Sequence, residues 1–129
     1  MQHFPIFLNL RGRTVVLSGG GEAALAKLRL LMKTEATLRV FAAEPCDDLR
    51  TLAADDRIVL AERALQPGDV TGAALFYAAD EDAAEDARTA AIADAEGALV
   101  NVVDNLEDSQ FITPAIVDRD PVTVAIGTE

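Results

Sequence analysis

The chain has 129 residues, half of them apolar, with 22 acidic against 11 basic side chains and a formal charge of −11, which is one domain's worth of sequence with enough apolar material for a core. That charge balance excludes a surface dedicated to nucleic-acid phosphates, which needs a Lys/Arg footprint. No apolar run approaches the roughly 18 to 20 residues that span a bilayer, and the start, "MQHFPIFLNLRGRT", lacks a cationic, apolar and cleavable leader; a single cytoplasmic unit over residues 1–129, with no membrane or nucleic-acid partner, is expected.

Thr14 to Ser18 is a β-branched and aliphatic run that ends in Gly19-Gly20-Gly21, the pattern of a buried strand closed by a tight turn. From Glu22 to about Lys33, Ala24, Leu25, Leu28, Leu31 and Met32 fall at helical spacing, and Lys27, Arg29 and Lys33 take other faces or the C-terminal end, where the helix dipole favours cations. A second strand, Thr37 to Ala42, is closed by Glu44-Pro45, and the intervening helix makes the two strands parallel. A short helix from about Asp47 to Ala53, a strand near Arg57 to Leu60, a polar connection through Gln66-Pro67-Gly68-Asp69 and a strand from Ala74 to Ala78 continue the rhythm. Asp80 to Asp82 supply caps for an Ala-rich helix that runs to Asp94 and is ended by Gly97, before a strand from Leu99 to Val103. Beyond it, Ala115 to Val117 and Val122 to Ile126 flank a turn at Asp118-Arg119-Asp120-Pro121, which reads as a hairpin.

Strands alternating with helices specify an α/β fold: a Rossmann-like open, mostly parallel sheet with helices on both faces and a C-terminal hairpin-like extension. The acidic stretch "DEDAAEDARTAAIADAE", Asp80 to Glu96, reads as a solvated helix face, with partner docking as the alternative. The lone Cys46 permits no internal disulfide and has no neighbour at metal-ligand spacing. There is likewise no cluster, nucleophile elbow or Walker lysine to hold a catalytic metal or a covalent intermediate.

Gly19-x-Gly21-x-x-Ala24 fits the dinucleotide fingerprint: one glycine turns the chain, another admits a pyrophosphate to the backbone, and the last small residue lets helix and strand pack closely. Gly19, Gly20 and Gly21 are therefore candidate cofactor contacts, with the N–H groups from Gly21 to Ala23 aimed at the phosphates. Such a string alone is common. Here it follows a strand, opens a helix and is joined by Glu44, about 25 positions beyond Gly19, near the approximate spacing of 20 for the ribose-binding acid. A carboxylate there accepts ribose hydroxyls and repels a 2′-phosphate, which favours NAD over NADP; an ordinary loop carboxylate is the alternative.

In open α/β sheets the ligand crevice lies beyond the carboxyl ends of the strands. Asp104 follows Val103 directly, in "NVVDN", with Asn101, Asn105 and Ser109 nearby, and His3 is the only histidine. Acid-base work thus falls to carboxylates, although position alone leaves Asp104 open between a proton acceptor and a turn-capping residue.

The assembled residues resemble the precorrin-2 dehydrogenase/sirohydrochlorin ferrochelatase module at the N-terminus of siroheme synthase. "FPIFLNLRGRTVVLSGGGEAALAKLRLL" is similar to that family's opening, and "NVVDNLEDSQFITPAIVDRDPVTVAIGT" to its second signature. The resemblance implies NAD-dependent oxidation of precorrin-2 to sirohydrochlorin and, in bifunctional members, insertion of ferrous iron as a second substrate. It matches Asp104 to the catalytic aspartate, acceptor of protons in both steps, and carries over Glu22, Ala23, Ala43 and Glu44 as cofactor contacts. No protein metal site is implied, because the macrocycle's nitrogens ligate the iron. Ala26-Lys27 stands where the family has a basic pair. The family continues into a helical dimerisation region, so a homodimeric parent truncated here is expected, and long members carry a uroporphyrinogen-III methyltransferase. The polycarboxylate substrate sits uneasily with an acidic domain, since salt screens repulsion only beyond about 8 Å and a local cationic patch is still needed; Arg11, Arg13 and Arg119 are the candidate cations. The competing reading is a nucleotide-sensing, NAD(H)-binding regulatory domain without catalysis, which leaves "NVVDN" and "SQFITPA" unexplained.

Overall fold

A computed structural model describes residues Met1 to Gly127; Thr128 and Glu129, the last two residues of the expected 1–129 unit, lie outside the described residues. The elements are β1 (Thr14–Ser18), α1 (Glu22–Leu31), β2 (Thr37–Phe41), α2 (Asp47–Leu52), β3 (Ile58–Ala61), β4 (Leu75–Ala78), α3 (Ala83–Ala95), β5 (Leu99–Val102), β6 (Ala115–Arg119) and β7 (Val122–Ile126). Among the described residues β1 to β5 form one sheet in the order β3-β2-β1-β4-β5, every pairing parallel. The order reverses between β1 and β4, and in such sheets the ligand crevice opens at that switch point.

Both faces of the central strands are covered, which is why β1 and β4 read as unbroken apolar runs, whereas β2, with Thr37 and Arg39 exposed, alternates. Val15 and Leu17 of β1 join Leu25, Leu28 and Leu31 of α1 and Leu49 of α2 in one core layer. Val16, between them in sequence, joins Phe41, Phe76, Val100 and Ala93 of α3 in the other, the period-two division of a strand.

Helix α1 ends at Leu31, short of the expected Lys33, where the Lys33 and Thr34 N–H groups donate to the Leu30 and Leu31 carbonyls at 3.1 and 3.0 Å, three residues back rather than four. Arg57 donates to the Met32 and Thr34 carbonyls at 2.9 and 2.7 Å, and the Thr34 hydroxyl donates to the Leu31 carbonyl at 2.7 Å. The Arg57 bonds satisfy carbonyls that the chain leaves without helical partners once it has turned out of the helix. The expected hairpin is present as an antiparallel pair, longer than its apolar residues indicate: Arg119 pairs with Val122, so Asp118 and Arg119 lie in the strand and Asp120-Pro121 alone make the turn. Ile116, Val117, Val122, Val124 and Ile126 are all exposed.

The outer edge of β5 is closed by side chains. Gln110 accepts from the Val100 N–H through Oε1 (2.9 Å) and returns its own N–H to the Val100 carbonyl (2.7 Å). Two residues along, the Ser109 hydroxyl accepts from the Val102 N–H at 2.9 Å. Backbone groups that would otherwise be unpaired at a sheet edge are thereby satisfied. No helix among the described residues is long and apolar enough to cross a membrane.

Candidate functional site

The β1–α1 turn sits between the ends of β4 and β2, and each of its glycines is pressed against a different neighbour. At Gly19 (φ +144°) an added Cβ would lie 2.1 Å from the Ala79 carbonyl oxygen, and at Gly20 it would lie 2.6 Å from that of Glu44. Backbone approach is indeed what these positions require, but the approaching backbone at Gly19 and Gly20 is the protein's own. Ala24 completes the packing, its Cβ 3.1 Å from the same Gly19 position; a larger side chain would force α1 off the sheet.

Gly21 is the N-cap of α1 and offers no side chain to the free N–H groups there. The Ala23 N–H donates instead to Glu81 Oε1 at 3.2 Å, and an added Cβ on Gly21 would lie 2.9 Å from Glu81 Oε2. A carboxylate reaching over from the β4–α3 loop therefore lies on one of the donors expected to meet phosphates, the Ala23 N–H. Glu22, Ala43 and Glu44 are exposed, and Glu44 is held beside the turn by its main chain, which packs on Gly20.

Asp104 is exposed at the tip of a turn beyond β5, in which the Asn105 N–H donates to the Val102 carbonyl at 3.0 Å. Its φ of +63° is one that Asp tolerates better than most residues and that often accompanies functional loops. It lines a groove of about 730 Å³ together with Glu81, Asp82, Asp86, Asn105 and Asp108. The structure thus brings Asp104 and, through Glu81, the β1–α1 turn to one opening.

The acidic stretch is only partly the solvated face that its composition indicates. Asp82 does cap α3, accepting from the Glu85 N–H at 3.0 Å. Asp86, however, is buried and accepts from the Asp80 N–H at 2.9 Å, while Asp80 accepts from the Ser18 hydroxyl at 2.7 Å. These contacts tie β1, β4 and α3 together at the crevice. Burial pushes both carboxyls above the usual range, reinforced at Asp86 by Asp82, Glu85 and Glu81. The native state then holds these protons more tightly than the unfolded chain, so the two groups' contribution is full below the ordinary carboxylate range and is lost as pH rises through the raised values. Asp86→Asn keeps an acceptor for Asp80 and removes the buried charge. Its melting temperature should exceed that of the parent at pH 7, by an increment that shrinks as the pH is lowered toward about 4; an increment independent of pH would contradict this assignment.

Sequence periodicity places Lys27 on a face of α1 away from the core, and the structure corrects this. Its ammonium lies 5.2 Å from the centroid of the buried Tyr77 ring, within cation–π range. Burial pulls the Lys27 pKa down and the nearby Asp104 carboxylate pulls it back up. Tyr77 is fixed by an edge contact with Phe111 at 5.4 Å and a hydrogen bond shared with Thr113 at 3.0 Å, which gives "SQFITPA" a structural role beneath the site. The arginines proposed for substrate carboxylates are elsewhere. Arg11 pairs with Glu35 at 3.2 Å and Arg119 donates to its neighbour's carbonyl at 3.1 Å; neither they nor Arg13 line the groove. Among the described residues no group of three or more His, Cys, Asp or Glu is placed to hold a metal ion.

Residues 6–115 match the family model described as "Putative NAD(P)-binding". The chain belongs to this family. Membership supports NAD as the cofactor, in agreement with the fingerprint turn. This NAD(P)-binding chain is also 44% identical over 128 residues to the siroheme synthase of Chromobacterium violaceum and 46% identical over 128 residues to that of Ectopseudomonas mendocina. Each match covers 99% of the chain, which spans just over a quarter, 27%, of those relatives. The resemblance read from the two signatures therefore extends over nearly the whole chain. Among solved structures it is similar to one described as "SirC, precorrin-2 dehydrogenase", with a TM-score of 0.84, 21% identity and coverage of 98% of this chain and 62% of that one; this likeness bears on the fold.

Proposed function

We propose that this NAD(P)-binding domain performs the NAD-dependent oxidation of precorrin-2 to sirohydrochlorin, with Asp104 as the proton acceptor. The observation that carries the proposal is the shared opening: Glu81 bonds the start of α1 and lines the same groove as Asp104. The residues fit a dinucleotide. An anionic oxygen already accepts from the Ala23 N–H, no side chain on Gly21 covers the helix end, and the α1 dipole favours negative charge there. On this reading Gly19, Gly20, Gly21, Glu22 and Ala23 form the diphosphate cradle, and Ala43 and Glu44 face the ribose. The cofactor, when bound, supplies the hydride acceptor. The macrocycle gives up the elements of hydrogen as one hydride and one proton, and Asp104 takes the proton; Lys27 keeps a cation near the carboxylate while it is charged.

The same carboxylate serves ferrous-iron insertion, in which the entering metal displaces pyrrolic protons that need an acceptor. The family resemblance of the two signatures extends the proposal to this second step and to a homodimeric cytoplasmic parent in which residues 1–129 are the NAD-binding unit beside a methyltransferase; the chain itself spans about a quarter of the length of its siroheme synthase relatives. The exposed apolar hairpin β6–β7 supports a further covering surface there. The test supplies precorrin-2 anaerobically to the complete protein with NAD or NADP. Growth of NADH absorbance together with sirohydrochlorin, faster with NAD, is expected; binding of NAD with no change in the tetrapyrrole would assign the domain to nucleotide sensing.

A further inference from the structure

We infer that Glu81 is a built-in competitor of the dinucleotide diphosphate, a carboxylate that occupies the cradle at the start of α1 and must leave before the coenzyme can seat. This rests on the cofactor reading above. Among the three consecutive acids after β4, two are committed to the fold: Asp80 accepts from Ser18, and Asp82 caps α3. Glu81 does neither. Its backbone takes a φ of +58°, costly for a residue with a long side chain, and its carboxylate crosses the crevice to another element, reaching Ala23 at 3.2 Å. Because the α1 N-cap is a glycine, that carboxylate satisfies a donor that no local side chain can.

The consequence follows from charge. A diphosphate needs the same N–H groups and carries the same sign, so the two anions exclude each other. The space available to a displaced Glu81 is the groove lined by Asp82, Asp86, Asp104 and Asp108, where further negative charge is unwelcome. Coenzyme affinity is thereby held below what the turn alone would give, for oxidised and reduced forms alike, which hastens their exchange. The carboxylate's attraction to a helix end and its repulsion of a phosphate both act against the coenzyme, each of them modest at a solvent-exposed site. Neutralising or removing it should therefore tighten binding about tenfold, equivalent to ~1.4 kcal/mol.

Calorimetric titration of the chain, Glu81→Gln and Glu81→Gly with NAD, ADP-ribose and adenosine tests this, with Asp48→Asn, at an exposed position of α2, as a control for net charge and thermal melting as a control for folding. Expected are tighter NAD and ADP-ribose binding in both Glu81 variants, more so in the glycine one, with adenosine and the control unchanged. If the parent binds NAD and folded Glu81 variants bind it no more tightly, the competitor is refuted while the cofactor reading stands. If no variant binds NAD or ADP-ribose, the cofactor reading itself fails and the competitor falls with it. Equal tightening for adenosine would also overturn the assignment, because it would place the effect away from the phosphates.

Discussion

Asp104→Ala is expected to slow precorrin-2 oxidation in the complete protein by about 10²- to 10⁴-fold, the span typical of a lost general base, while leaving NAD binding nearly intact. The separation follows from placement: Asp104 lines the groove beyond β5, whereas the Ala23 N–H and the three glycines belong to the β1–α1 turn. Alanine alone is an ambiguous probe, because the φ of +63° at this position is tolerated by Asp and Asn and resisted by Ala. Asp104→Asn keeps the backbone preference and removes the proton acceptor. If Asn is as inactive as Ala, the carboxylate does the chemistry. If Asn turns over normally, Asp104 shapes the loop and the proton goes elsewhere. Iron insertion, assayed separately on supplied sirohydrochlorin, should follow oxidation in both variants if one carboxylate serves both steps.

Gly19→Ala should cost about 3 to 5 kcal/mol of stability, the sum of a strained backbone and a forced contact in a packed interior. The contact is the larger part: the new methyl would lie 2.1 Å from the Ala79 carbonyl oxygen, and Ala79 cannot retreat without losing its 2.8 Å bond to the Ser18 carbonyl. Moving it also separates β1 from β4, the switch point of the sheet. Gly68→Ala isolates the backbone part, because Gly68 has a φ of +97° with open space around it, and should cost about 1 kcal/mol. Urea unfolding of both variants gives the comparison, and similar losses at the two sites would show that the close contact at Gly19 relaxes cheaply. NAD binding should weaken in the first variant, whose turn is displaced, and persist in the second.

The order and type of the elements were legible because parallel strands buried on both faces leave unbroken aliphatic runs, and Val15 to Leu17 and Leu75 to Ala78 are such runs. The last turn of α1 was not, since the tightening to three-residue bonds at Lys33 and Thr34, and the Arg57 that takes up the Met32 and Thr34 carbonyls from beyond β2, leave no mark in the helical spacing. Within the site, the glycine spacing and Asp104 stood out from the sequence. The partners of those glycines did not, because Ala79 and Glu44 become neighbours of the turn only through the strand order. Asp86 shows the same limit: nothing in an alternation of acids and alanines marks the one carboxylate that turns inward to the Asp80 N–H. Glu81 reads as one more helix-capping acid until β4 is set beside β1. A usable signal was present at Lys27, a charged residue on the turn-proximal part of a helix whose neighbours Leu28 and Leu31 face the core.

With Asp104 as the base proposed above, the stapled edge of β5 bears on the rate of proton transfer. The segment that carries Asp104 leaves the strand at Val102 and returns to it through Ser109 and Gln110, so both its ends are fastened to the same few backbone groups. A base on such a closed loop has its position set when the polypeptide folds, and little reorganisation is left for the instant of proton transfer.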